Sequence, residues 1–153
     1  MKKLFLFLAA STLALTSCSS DDDSAPSIGG TINVTIDGQA KTFNTVVVNE
    51  EVFDAGTVDE YTELTVTGVI GTNTNEIITF IVDKGDLGAN AIYSFNYTKD
   101  GAFYYNTTIS TNVTTNNDSK KLIGNFSGTM TSFSGTGEGV ELVFTNGTFN
   151  IQY

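Results

Sequence analysis

Six carboxylates crowd one stretch of this chain: Glu50, Glu51, Asp54, Asp59, Glu60 and Glu63 all fall within "NEEVFDAGTVDEYTEL". Oxygens gathered on a loop are what a hard cation such as calcium takes, about six to eight at a time. The segment has neither the D-x-D-x-D-G spacing nor the closing glutamate of an EF-hand, so it reads as a solvated acidic loop with no metal. Two carboxyls at a suitable separation also suffice for glycoside hydrolysis. A small domain offers little cleft for that chemistry, and the expectation is a protein that is not an enzyme. Histidine is absent and Cys18 is the only cysteine. That removes Ser-His and Cys-His nucleophile pairs, imidazole ligands and any intramolecular disulfide. The glycine-rich "SFSGTGEGVE", Ser132 to Glu141, lacks the lysine and following helix of a phosphate loop and reads as surface loop. No cofactor is implied.

A second group is aromatic: Tyr93, Phe95, Tyr97, Phe103, Tyr104 and Tyr105. Tyrosines beside amides and hydroxyls can stack on sugars. Most of this group reads as core, and Tyr104 is the one placed on the polar face, beside Asn96, Asn106 and Thr108, as a ligand contact. The net charge of -10, with lysine as the only basic residue type, leaves no basic stripe for a phosphate backbone, so no nucleic-acid partner is expected.

The elements that must position these groups are strands. From Gly29 onward Thr, Asn, Val, Ile, Phe and Tyr alternate in short runs broken by glycine and Asx turns, with no window of helical period. In "TINVTID" Ile32, Val34 and Ile36 share one face, and Asp37-Gly38 closes the strand with a turn. Further strands are expected over 41–49, 60–70, 76–83, 89–98, 102–113, 121–131, 139–145 and 148–153. In "VELVFTNGTFNIQY" a two-residue Asn146-Gly147 turn would set Phe144 opposite Phe149, Leu142 opposite Ile151 and Val140 opposite Tyr153. In "YSFNYTKDGAFYYNT" a two-residue turn would set Phe95 against Asn106. A three-residue Lys99-Asp100-Gly101 loop instead pairs Tyr97 with Phe103 and Phe95 with Tyr105, and that register is preferred because it keeps the aromatics together. "EIITFIVDK" is apolar on both faces, which implies a central strand covered on either side. The fold class expected is all-β, a single antiparallel β-domain of about 8–9 strands. A β-sandwich is favoured, with a lipocalin-like small barrel as the alternative.

The N-terminus is an address. "MKKLFLFLAASTLALTSC" has two lysines, then an apolar run shorter than the roughly 20 residues a membrane span needs, then small residues. Leu15-Thr16-Ser17-Cys18 resembles the lipobox of bacterial lipoproteins, which implies cleavage before Cys18 and lipid on its thiol. "SSDDDS" resembles the acidic export signal of Bacteroidota surface lipoproteins, which assigns Ser19, Ser20, Asp21, Asp22 and Asp23 to outward transport. Asp23-Ser24-Ala25 resembles the O-glycosylation site of the same group, which would place a glycan on Ser24. The expected organisation is therefore a signal peptide over 1–17, a lipidated cysteine and flexible acidic tether over 18–28, and a β-domain over 29–153.

"VTIDGQAKTF", "LIGNFSGTM" and "FTNGTFNIQY" together resemble an uncharacterised family of small flavobacterial lipoproteins with an early V-D-G-x-x-F element and a closing G-x-F strand. Ile36-Asp37-Gly38 with Phe43 matches the first with one extra residue, and Gly147-Thr148-Phe149 matches the second. The resemblance implies a lipid-anchored protein of the outer membrane and cell surface and carries no activity. The residues point to a non-catalytic binding or display module for a glycan or an envelope protein. The alternatives are a lipocalin-like carrier of a small apolar ligand and a carboxylate-based glycoside hydrolase.

Overall fold

The computed structural model describes residues 27–106, 108–132 and 139–153. The signal peptide, Cys18, Ser19 to Asp23, Ser24 and most of the glycine-rich loop lie outside the described residues.

Alternating β-branched and polar residues, with glycine or Asx at the breaks, give eleven strands and no described helix: β1 Ser27–Ile28, β2 Thr31–Ile36, β3 Gln39–Phe43, β4 Thr45–Phe53, β5 Tyr61–Ile70, β6 Asn73–Asp83, β7 Ile92–Lys99, β8 Ala102–Asn106, β9 Ser110–Asn117, β10 Lys121–Ser132 and β11 Glu141–Gln152. All pairings are antiparallel and join one sheet. Three pairs of elements are single bent staves. Ile36 pairs Gln39, Ile32 pairs Phe43 and Ile28 pairs Val47, so β1–β2 and β3–β4 form one long hairpin in constant register. β8 and β9 likewise follow each other along β10. Because β11 returns to pair with β2, the up-and-down order nearly closes into a barrel. Of the two architectures expected, the barrel-like sheet is the one formed.

The inner face is apolar and filled. Phe80 stacks on Phe95 at 5.8 Å and meets Phe149 at 5.1 Å, Phe95 meets Phe126 at 4.8 Å, and Tyr97 meets Tyr104 and Phe144 at 5.7 and 5.5 Å. Such rings each bring a large buried area plus about 0.5–1.5 kcal/mol per well-oriented pair. Gly68 of β5 is needed where the long hairpin bends across it, since a Cβ there would sit 2.9 Å from Ile32 Cδ1 and 3.2 Å from Phe43 Cβ. β6 is central, between β5 and β7. Ile78, Phe80 and Val82 are buried inside, while Ile77, Thr79 and Ile81 are half-buried on an outer face that no second layer of described residues covers.

Inward charges seal both ends of the barrel. At one end, the turn end, Lys41 Nζ donates to both oxygens of Glu76 at 2.8 and 2.6 Å, and the Tyr97 hydroxyl donates to Glu76 at 3.1 Å. At the other, the loop end, Lys120 Nζ donates to Glu50 at 2.5 Å, with Lys84 Nζ 3.7 Å from the same carboxylate. β3 is an edge of the hydrogen-bonded path, and a lysine pointing inward from an edge strand opposes pairing with other chains.

Two hairpin expectations need correction. Asn146-Gly147 is not a hairpin turn. β11 runs through it, with Asn146 at φ 53° as a bulge residue between the pairs Phe144–Gly128 and Gly147–Phe126. One extra residue flips the alternation as a two-residue turn would, so Leu142, Phe144, Phe149, Ile151 and Tyr153 still share the inside. A Cβ at Gly147 would lie 2.5 Å from the Phe126 carbonyl oxygen, which is why the bulge needs glycine there. Val140, expected opposite Tyr153, is exposed. The loop after β7 is the two-residue turn Asp100-Gly101, both at positive φ, with Lys99 pairing Ala102. The first described pairing of the sheet is Ser27 with Val48.

Candidate functional site

The turn at Asp100-Gly101 determines which aromatics meet water. It pairs Tyr97 with Tyr104, both inside, and turns Phe103 and Tyr105 outward. Tyr104, expected on the polar face, is only 7% exposed, whereas Phe103 is 52% and Tyr105 42% exposed. The preferred three-residue loop was one residue too long, and a one-residue slip exchanges the faces of every side chain beyond it. Treating Asp100-Gly101 like Asp37-Gly38, which does close a two-residue turn, would have found the outward pair.

Phe103 and Tyr105 stand on one face of β8, about 7 Å apart as alternate residues of a strand do. Thr98 lies directly opposite Phe103, and Asn96 opposite Tyr105. The row through Tyr105 continues as Asn96, Thr79, Thr67 and Val47, and the row through Phe103 as Thr98, Ile77 and Val69. From Tyr105 to Val47 and from Phe103 to Val69 no charged residue intervenes, although the chain carries a net -10, while on the other side of Tyr105 the row passes through Thr131 to Glu141. These two rows thus make a strip across the outer face of β5 to β8 that holds hydroxyls, amides and aliphatic carbon and no charge, with two aromatic rings on β8.

The acidic segment does not act as a unit. Glu50 points inward to its lysines. Glu60 accepts the Gly56 N–H at 2.6 Å, and Asp54 and Asp59 are exposed. Among the described residues no three His, Cys, Asp or Glu side chains are grouped to hold a metal ion. Glu51, Glu63 and Asp83 do line up across β4, β5 and β6 as direct neighbours. Tyr93, 55% exposed, donates its hydroxyl to Glu63 at 2.5 Å and lies 3.4 Å from Asp83. Burial, then the bond to Glu63 and the nearby Asp83 charge, push the Tyr93 phenol well above its ordinary value. Burial and the Asp86 charge also raise the Asp83 carboxyl, against the opposing bond from Tyr93. A phenol held protonated is a donor and a poor nucleophile, and Glu63 and Asp83 are half-buried neighbours on the outer face of the sheet.

Comparison with family models, with curated proteins and with solved structures finds no match. The functional reading therefore rests on the geometry and on the residues themselves.

Proposed function

We propose that this chain is a lipoprotein of the outer membrane, anchored through Cys18 and displayed at the cell surface by the Ser19 to Asp23 signal. Its β-domain is a non-catalytic module that binds a neutral glycan on the outer face of β7 and β8. The observation that carries this reading is the outward pair Phe103 and Tyr105 beside Thr98 and Asn96 on an uncharged strip. Burying a large ring is favourable by about 1.5–3 kcal/mol, so two rings kept in water at neighbouring same-face positions favour a contact that covers them. A sugar ring offers an apolar C–H face for the aromatics and hydroxyls for the Asn and Thr side chains. A carrier of an apolar ligand is opposed by the aromatic rings that occupy the barrel interior. A hydrolase is opposed by the Tyr93 phenol that occupies Glu63 and reaches Asp83, which leaves neither carboxyl free to act on a substrate.

A glycan array probed with the exported domain tests this. The wild type is expected to bind neutral oligosaccharides with little dependence on salt. The Phe103→Ala/Tyr105→Ala variant is expected to lose at least about tenfold in affinity, since two contacts of about 1 kcal/mol each would be removed. Its thermal midpoint should be unchanged because both rings are outside the core. Undiminished binding by that variant would overturn the site, and capture of an envelope protein in place of any glycan would overturn the ligand class.

A further inference from the structure

In an up-and-down barrel the connections alternate between the two ends. Here 37–38, 71–72 and 100–101 lie at the turn end, where Lys41 meets Glu76, together with the end of β10 at Ser132 and the start of β11 at Glu141. The connections 54–60, 84–91 and 118–120 lie at the loop end, together with Tyr153, whose N–H donates to Lys120 O at 2.9 Å. β1 runs antiparallel to β4, with Ser27 opposite Val48. Traced backward from Ile28 to Ser27, β1 therefore points toward the Phe53 end of β4, which is the loop end. Phe103 and Tyr105 follow the Asp100-Gly101 turn and sit toward the opposite end.

We infer that the barrel stands end-on above the membrane, loop end down, and holds the Phe103–Tyr105 face on its distal half. This rests on the lipid-anchor reading of Cys18. Nine peptide steps separate Cys18 from Ser27, and they reach no more than about 32 Å even when fully extended. Strands of ten to twelve residues tilted as barrel strands are make the barrel about 30 Å tall. Ser27 lies opposite Val48, nine residues from Ile36 at the turn end, so bringing that end to the membrane would oblige the linking chain to reverse and spend about 23 Å of its reach running back along the barrel, whereas the loop end needs no such path. Asp54, Asp59, Glu60, Asp86 and Asp118 at the loop end face anionic headgroups with like charge, which holds that end off the surface without reversing the domain. The distal placement makes the binding face accessible to polymers arriving from outside the cell.

Cys18 is the only native cysteine and its thiol is consumed by acylation, so single cysteines can be introduced as labels. Val58→Cys marks the loop end and Thr72→Cys the turn end, both at exposed positions. The full-length lipidated variants, labelled with a fluorophore, are reconstituted into phosphatidylethanolamine–phosphatidylglycerol vesicles carrying a headgroup acceptor dye. Energy transfer is expected to be clearly stronger from position 58 than from position 72. Equal or reversed transfer from protein that floats with the vesicles overturns the end-on orientation and leaves the anchor standing. Flotation of the Cys18→Ala chain, or failure of the native chain to float, overturns the anchor and the orientation with it.

Discussion

The two ends of the barrel use the same device and complete it differently. At the turn end Glu76 is bonded by Lys41 and by the Tyr97 hydroxyl. Burial pushes its carboxyl up, but the bonds from Lys41 and Tyr97 and the charges of Lys41 and Lys99 outweigh that and hold it below the ordinary value. At the loop end Glu50 serves two lysines, and the Tyr153 ring lies under the Lys120 ammonium, 6.0 Å from nitrogen to ring centroid. The Tyr153 hydroxyl there is buried with no hydrogen-bond partner among the described residues, and so is Asn116 Oδ1. Burial and the Glu50 and Asp118 charges push the Tyr153 phenol up to about 12. An inward charge thus caps an apolar interior at either end, but only the turn end gives its tyrosine a partner.

Breaking the turn-end pair should have the largest effect. Lys41→Met leaves the Glu76 carboxylate without its cation and should cost about 2–3 kcal/mol in urea denaturation. A cost below about 1 kcal/mol would mean that the pair is a surface contact and that the ends are alike.

One substitution made at both ends sharpens the comparison. Tyr97→Phe removes a hydrogen bond to a carboxylate and should destabilise by about 1–2 kcal/mol. Tyr153→Phe removes a buried hydroxyl that has no partner and should be neutral or stabilising by up to about 1 kcal/mol. Losses of similar size from the two changes would show that Tyr153 is hydrogen-bonded after all, through water.

The smallest effect is on acid stability. Glu76 has a folded value below its unfolded one, so its contribution is complete above the ordinary 4.5 and is lost as pH falls through the lowered folded value. Asp83, raised from 3.8, behaves in the opposite sense: its stabilisation is complete below 3.8 and is lost as pH rises through the raised folded value. Glu76→Gln should therefore flatten the acid limb of a plot of urea midpoint against pH, and Asp83→Asn should steepen it. The reverse order of slopes would exclude this assignment of the two carboxyls.

Three Asx-Gly pairs show how much was legible in the sequence. Asp37-Gly38 and Asp100-Gly101 are two-residue hairpin turns with both residues at positive φ, while Asn146-Gly147 is a bulge inside one strand. Locally they carry the same signal. Both a two-residue turn and a single bulge move the apolar residues from one parity to the other, so the pattern around Asn146 is satisfied either way. The preference for a three-residue loop at Asp100 came from keeping Tyr97 beside Phe103. The barrel instead buries Tyr104 against Tyr97, and the outward aromatics are the ones that the pattern alone had assigned to the core. The alignment of Glu51, Glu63 and Asp83 was equally hidden, because it depends on the register of three strands.

By itself, the sequence determined the strand content, the antiparallel class and the residue types able to do chemistry, because period-two alternation and the absence of histidine are local facts. The tertiary structure decided that one sheet nearly closes on itself, that Asn146 bulges, and that Phe103 and Tyr105 in place of Tyr104 meet solvent. The physical reason is that closure joins β11 to β2 across more than a hundred residues. The register imposed by that pairing, with the burial it requires, selects among turns that are locally equivalent.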